Sequence, residues 1–327
     1  MKILQRRTLL ALTMALILGI LSGCGSKEVE PEDVFVEKLS IEYTIFEDEA
    51  VALSEAPSAP TSMLLAEPSG EKVKKSGNAV IDYSNTTDGY VMVQYTGQTT
   101  RRLKAQVKGP ATTYTYNVTP GKWETFPLSD GNGSYQISLF ENVSGSKYAL
   151  VQSISQPVTL ADEFAPFLRP NQYVDYSAAS TAVAKAEELT KNTENAMQKV
   201  AAVYDFVVGN LTYDREKAAT VQSGYLPVLD SVLAEKKGIC FDYASLMTAM
   251  LRSQDVPCKL VVGYAGEVYH AWINVYVEGE GWVDGIIFFN GSSWERMDPT
   301  FASSAKQSKS IMKYIGDGEN YTAKYFY

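Results

Sequence analysis

Gly238-Ile239-Cys240-Phe241-Asp242-Tyr243-Ala244 opens the most informative stretch of this chain. Residues 241–254 predict a strong helix, apolar nearly all round and therefore buried. Cys240 stands just before it. Four backbone N–H groups at a helix start lack partners within the helix, and the helix dipole favours negative charge there. A thiol in that position is biased towards thiolate, its nucleophilic form. Gly238 lets the chain enter tightly and leaves the sulfur accessible. Two plainer readings compete: a buried structural cysteine, or a disulfide to Cys258. About 14 helical residues at about 1.5 Å each would hold those two cysteines about 20 Å apart. A disulfide needs Cα atoms within about 7 Å. The helix and the disulfide are therefore exclusive, and free thiols are expected.

C-terminal to the helix, residues 260–264 form a continuous apolar run and Val268–Val277 predicts a strand. Residues 282–289 and 293–297 predict two more, joined through Asn290-Gly291. His270, the only histidine in the chain, lies in Val268-Tyr269-His270-Ala271-Trp272-Ile273-Asn274-Val275. Side chains alternate along a strand. Tyr269, Ala271, Ile273, Val275 and Val277 make an apolar core face. His270, Trp272, Asn274 and Tyr276 make a more polar one, open to solvent or a partner. A lone strand histidine is usually structural, but this one is the sole imidazole available to a thiolate at Cys240. A base also needs a group that fixes its tautomer. Asp298, held extended by Pro299, is a candidate; Asp242 and Asp284 are rivals that spacing alone does not separate.

N-terminal to the cysteine, residues 177–191, 194–211 and 228–236 carry helical apolar spacing, and the chain is α+β from about residue 165. Between residues 78 and 160 the pattern differs. Short runs at 79–83, 90–95, 103–107, 113–118, 135–140 and 148–154 are rich in Val, Tyr, Thr and Ile, with turn residues between them. That spacing predicts an all-β, sandwich-like domain. Its tyrosines suit either a binding face or a structural spacer. Residues 25–77 read as tether and linker with one potential strand. Residues 1–24 have a basic start, an apolar run too short to span a bilayer, and Leu21-Ser22-Gly23-Cys24. This looks like a bacterial lipobox, which implies that Cys24 becomes a diacylated N-terminus. The expected location is the outer face of the bacterial cytoplasmic membrane, with the membrane as partner through Cys24.

Composition narrows the chemistry. The formal net charge of -9 argues against a nucleic-acid-binding surface, which needs clustered Lys and Arg. One histidine excludes a zinc site built from several, and no metal or cofactor is expected.

Cysteine, then histidine about thirty residues on, then aspartate about thirty later resembles the order in the transglutaminase-like superfamily. Gly-Ile-Cys-Phe-Asp-Tyr-Ala, Tyr-His-Ala-Trp-Ile-Asn-Val and Met-Asp-Pro-Thr-Phe carry the resemblance, over roughly residues 196–300. It implies a papain-like core at 165–327, with a cysteine-bearing helix packed on an antiparallel sheet that bears His and Asp. Cys240 is then the nucleophile, His270 the general base and acid, and Asp298 its orienting partner. Phe241 departs from the Trp usual in animal cross-linking members. No glutamine is assignable to an oxyanion hole, which leaves Tyr213 and Trp272 as candidates for that role or for substrate contact. The implied function is a cysteine peptidase or amidase acting on peptide or protein outside the cell. Protein cross-linking and a non-catalytic binding module are the alternatives.

Overall fold

The computed structural model describes residues 63–279, 281–283, 287–289, 294–296 and 321–327, all within one compact unit, Pro57–Tyr327. Cys24, Asp284 and Asp298 lie outside the described residues.

The first half is a pair of four-stranded antiparallel sheets. Strands β1 (Val73–Ser76), β2 (Ala79–Asp82), β3 (Tyr90–Tyr95), β4 (Leu103–Lys108), β5 (Thr113–Val118), β6 (Trp123–Pro127), β7 (Gly133–Ser144) and β8 (Lys147–Val158) arrange as β1-β2-β3-β6 and β5-β4-β7-β8. The alternation that predicts them is realised in burial: Tyr114, Tyr116 and Val118 of β5 are buried while Thr113, Thr115 and Asn117 face out. Tyr116 stacks on Phe126 of β6 with ring centroids 4.2 Å apart, which locks one sheet to the other. The tyrosines of β5 are therefore core and not a binding face. Two strands were not legible. β1 carries Lys74 and Lys75 and is mostly exposed, as suits an edge strand. β6 contains the buried Glu124 and ends in proline, so its apolar alternation is masked.

The second half is α+β, as expected. Helices α1 (Thr181–Thr190), α2 (Ala196–Asn210), α3 (Arg215–Thr220), α4 (Leu229–Glu235) and α5 (Cys240–Arg252) precede most of the strands. Strands β11 (Cys258–Ala265), β12 (Val268–Val277), β13 (Gly281–Val283) and β16 (Tyr321–Phe326) form an antiparallel sheet ordered β13-β12-β11-β16. The strand expected over 282–289 is divided: β13 pairs with β12, whereas β14 (Ile287–Phe289) pairs with β15 (Trp294–Arg296). Two-residue strands β9 (Thr212–Tyr213) and β10 (Lys237–Gly238) run parallel to one another.

Every residue of α5 from Asp242 to Arg252 is buried. Tyr243, Leu246, Met247, Met250 and Leu251 are fully enclosed, and the helix packs against β11 and β12 on one side and α1, α2 and α4 on the other. Its length and register are thus fixed by packing rather than by propensity. At its far end Arg252 is 1% exposed and donates to three backbone carbonyls: Cys258 at 2.9 Å, Arg169 at 2.7 Å and Tyr327 at 2.6 Å. One side chain so joins the end of α5 to the start of β11 and to the residue after β16. The two halves meet through aromatic rings. Tyr327 lies 5.5 Å from Tyr114, 5.9 Å from Tyr116 and 4.5 Å from Tyr173 of the connecting segment.

Candidate functional site

Cys240 is the first residue of α5 and is partly exposed, while Cys258 is fully buried on β11 with its sulfur 3.6 Å from Thr248 Oγ1. Both are free thiols, as the helix between them requires. Burial pushes the Cys258 thiol up to about 12, so it is protonated and inert. Cys240 lines a cavity of about 720 Å³, and His270 lines the same cavity. The sequence places these residues thirty positions apart, and the packing of α5 on β12 brings them to one hollow.

The N-terminus of α5 is braced by Asp242, one turn in. Its carboxylate accepts from the Ile239 N–H at 2.8 Å, from the Tyr225 hydroxyl at 2.6 Å and from Lys217 Nζ at 2.7 Å. The first bond is one half of a capping box; Ile239 has no acceptor with which to supply the other. Burial works against the Lys217 charge, but the Asp242 carboxylate and the Tyr225 hydroxyl hold its pKa above the usual lysine value. With both oxygens engaged here, Asp242 is a structural cap rather than the orienting partner of His270. Gly238 serves the same end: a Cβ there would lie 2.6 Å from the Cβ of Asp242. The glycine makes room for the cap, a different reason from the access to sulfur that the sequence reading gave it.

His270 sits at 5% exposure. This corrects the expectation of an open polar face on β12, because Trp272 at 4% and Asn274 at 5% are buried beside it. Strand β12 packs on α5, and the rings of Trp272 and of Tyr321 on β16 stand beside the imidazole. The Trp272 ring lies near-parallel to the imidazole at 6.3 Å, and the Tyr321 ring stands 5.2 Å from Trp272 and 6.3 Å from His270. Gly263, paired with His270 across β11 and β12, lets these rings settle. A Cβ on it would meet Trp272 at 2.8 Å and the Thr322 carbonyl at 2.1 Å. Trp272 thus walls the imidazole and is not among the described residues that line the cavity.

Tyr213 does line it. The β9–β10 pairing sets Tyr213 opposite Gly238, two residues before Cys240, and Asp214 N–H donates to the Gly238 carbonyl at 2.8 Å. Sequence reasoning missed the far wall. Asn117 of β5 and Gln172 of the connecting segment line the cavity, with Gln172 Nε2 donating to the Asn117 carbonyl at 2.6 Å. Nothing local in the sequence marks these residues, since only the packing of the two halves brings them to Cys240. Among the described residues no group of three or more His, Cys, Asp or Glu side chains is arranged to hold a metal ion.

Residues 183–284 match the transglutaminase-like superfamily. The chain is similar to the uncharacterized protein YebA of Bacillus subtilis, with 32% identity over 118 residues covering 30% of this chain and 16% of that protein. It is also similar to the kyphoscoliosis peptidase of Mus musculus, with 26% identity over 153 residues covering 42% of this chain and 21% of that one. The chain therefore spans less than a quarter of either relative. Among solved structures it resembles the periplasmic domain of TgpA from Pseudomonas aeruginosa, at a TM-score of 0.33 and 16% identity, over 65% of this chain and 92% of that one.

Proposed function

Starting from a transglutaminase-like domain at residues 183–284, we propose that this protein is a thiol-dependent acyl-transfer enzyme that hydrolyses peptide or carboxamide bonds. The observation that carries the proposal is the shared cavity: the thiol at the start of α5 and the only imidazole of the chain line one hollow.

In this mechanism the Cys240 sulfur attacks the substrate carbonyl carbon and its proton passes to His270. The tetrahedral oxyanion collapses, the C–N bond breaks, and the imidazolium returns the proton to the leaving amine. A thioester remains on Cys240. Water then gives a proton to His270 and its oxygen to the acyl carbon, which releases a carboxylic acid and restores the thiol. Asp298 orients the imidazole and stabilises its charged form. The positive end of α5 stabilises charge on the sulfur. Tyr213, held opposite Gly238, is the candidate side chain beside the oxyanion. Hydrolysis is favoured over amine transfer because water requires no site of its own, and one matched relative is named as a peptidase.

Cys24 is proposed as the lipid anchor that holds the enzyme outside the cell, on the strength of Leu21-Ser22-Gly23-Cys24. Metabolic incorporation of a fatty-acid analogue should mark wild type and spare Cys24→Ala; equal labelling would remove the anchor.

The catalytic reading is tested by turnover of a quenched peptide mixture. Cys240→Ala should abolish cleavage. Asp298→Asn should lower it by about 10⁴-fold, as loss of the orienting carboxylate does in a comparable triad, with Asp284→Asn close to wild type. Loss in Asp284→Asn with retention in Asp298→Asn would reassign the third member. Full activity in Cys240→Ala would end the thiol mechanism.

A further inference from the structure

Large apolar side chains open to solvent are few among the described residues, and half of the eight gather at one hollow, while Leu65, Val143, Leu150 and Val228 do not line it. Val268 is 62% exposed, Tyr269 57% and Val221 37%, and all three line the cavity that holds Cys240 and His270. Tyr264, 38% exposed, extends the patch by packing edge-on against Tyr269 at 5.5 Å. Val268 and Tyr269 immediately precede His270 on β12, whereas Val221 follows α3, so two separate elements present apolar surface to one hollow. Contiguous exposed apolar surface around a cavity marks a binding groove.

We infer that this mouth is a recognition groove for an apolar, uncharged segment of polypeptide, which lays side chains on Val268, Tyr269 and Val221 beside the scissile amide. The inference deepens the proposed function and rests on it for the position of that amide. Three observations favour a polypeptide as occupant. The thiol and imidazole in the groove call for an acyl carbon. The far wall carries the carboxamides of Asn117 and Gln172; Asn117 Oδ1 accepts from Lys104 Nζ at 3.1 Å and Gln172 Nε2 donates to the Asn117 carbonyl, which leaves Asn117 Nδ2 and Gln172 Oε1 to meet backbone amides. None of the described lining residues is Lys, Arg, Asp or Glu, so a charged side chain entering here loses hydration and meets no carboxylate, ammonium or guanidinium of the lining itself.

The test uses the full chain carrying Cys240→Ala and fluorescent peptides of equal length. In one, Leu and Phe flank a central Gln; in the other, Asp replaces both. Fluorescence anisotropy should give the apolar peptide a dissociation constant at least tenfold lower. Val268→Ser with Tyr269→Ser should reduce that ratio below threefold, and Val221→Ser, on the other element, should reduce it on its own. All three positions are solvent-exposed, so these changes spare the core. Equal affinity for the two peptides, or a preference that survives both variants, overturns the groove. Running the same peptides with wild type separates the two claims. Preferential binding without cleavage upholds the groove and refutes the enzyme; cleavage of both peptides at equal kcat/KM refutes the groove and leaves the enzyme standing.

Discussion

Asp242 shows what one residue of the nucleophile segment is for. Two places after Cys240, it reads as a rival third member of a triad. In the fold it ties Ile239, Tyr225 and Lys217 to the first turn of α5. Its charge is needed, because the three groups around it all donate. Asp242→Asn keeps the shape but turns an N–H₂ towards one of those donors. Hydrogen bonds to charged groups contribute about 1.5–3 kcal/mol, so unfolding free energy measured with urea should fall by about that amount. An unchanged midpoint would mean that the network is incidental. Cys240 and His270 were legible because each is chemically conspicuous: a thiol at a helix start, and the only imidazole. The capping role of Asp242 and the work of Gly238 were not, since both depend on a contact between side chain and backbone three or four residues away in a particular turn.

Among the elements, those with strong periodicity were legible. The expected helix over 241–254 is α5 at Cys240–Arg252, and the expected strand Val268–Val277 has those bounds. The faces of β12 were half right. Alternation identified Ala271, Ile273, Val275 and Val277 as core; Tyr269, assigned to the same face, is instead 57% exposed because it lies at the cavity mouth near the strand's start, and alternation cannot say what covers the opposite face. One contributor among the described residues is Tyr321 of β16, more than forty residues further on, whose ring stands edge-on 5.2 Å from Trp272. Short elements escaped for a related reason. α3 buries none of its residues, and β9 and β10 have two residues each, so none carries an apolar period. Yet these pieces hold Tyr213 beside Gly238 and Lys217 under Asp242, so the local shape of the site depends on segments that the sequence pattern leaves blank.

At the scale of the molecule, the β-sheets and the thiol-bearing half share a junction of buried tyrosines, and the cavity draws on both. This predicts how stability responds to alkali. The Cys258 thiol is pushed up to about 12 by burial, and burial likewise raises Tyr173 to about 12. Free cysteine and tyrosine ionise near 8.5 and 10. Groups whose folded value is raised bind protons more tightly in the folded state, so their contribution is intact below about pH 8.5 and is lost as pH climbs towards 12. Unfolding free energy should be level between pH 7 and 8.5, then fall, at about 1.4 kcal/mol per pH unit for each group ionised only when unfolded. Cys258→Val should remove the earliest part of that fall; stability level to pH 11 would contradict the burial account. The central claim is that Cys240 carries an acyl group during turnover. Intact mass spectrometry of enzyme quenched in acid during peptide cleavage should show an adduct of acyl mass, labile to hydroxylamine, on Cys240 and absent from Cys240→Ala. Cleavage without any adduct, or an adduct that persists in Cys240→Ala, would contradict the account.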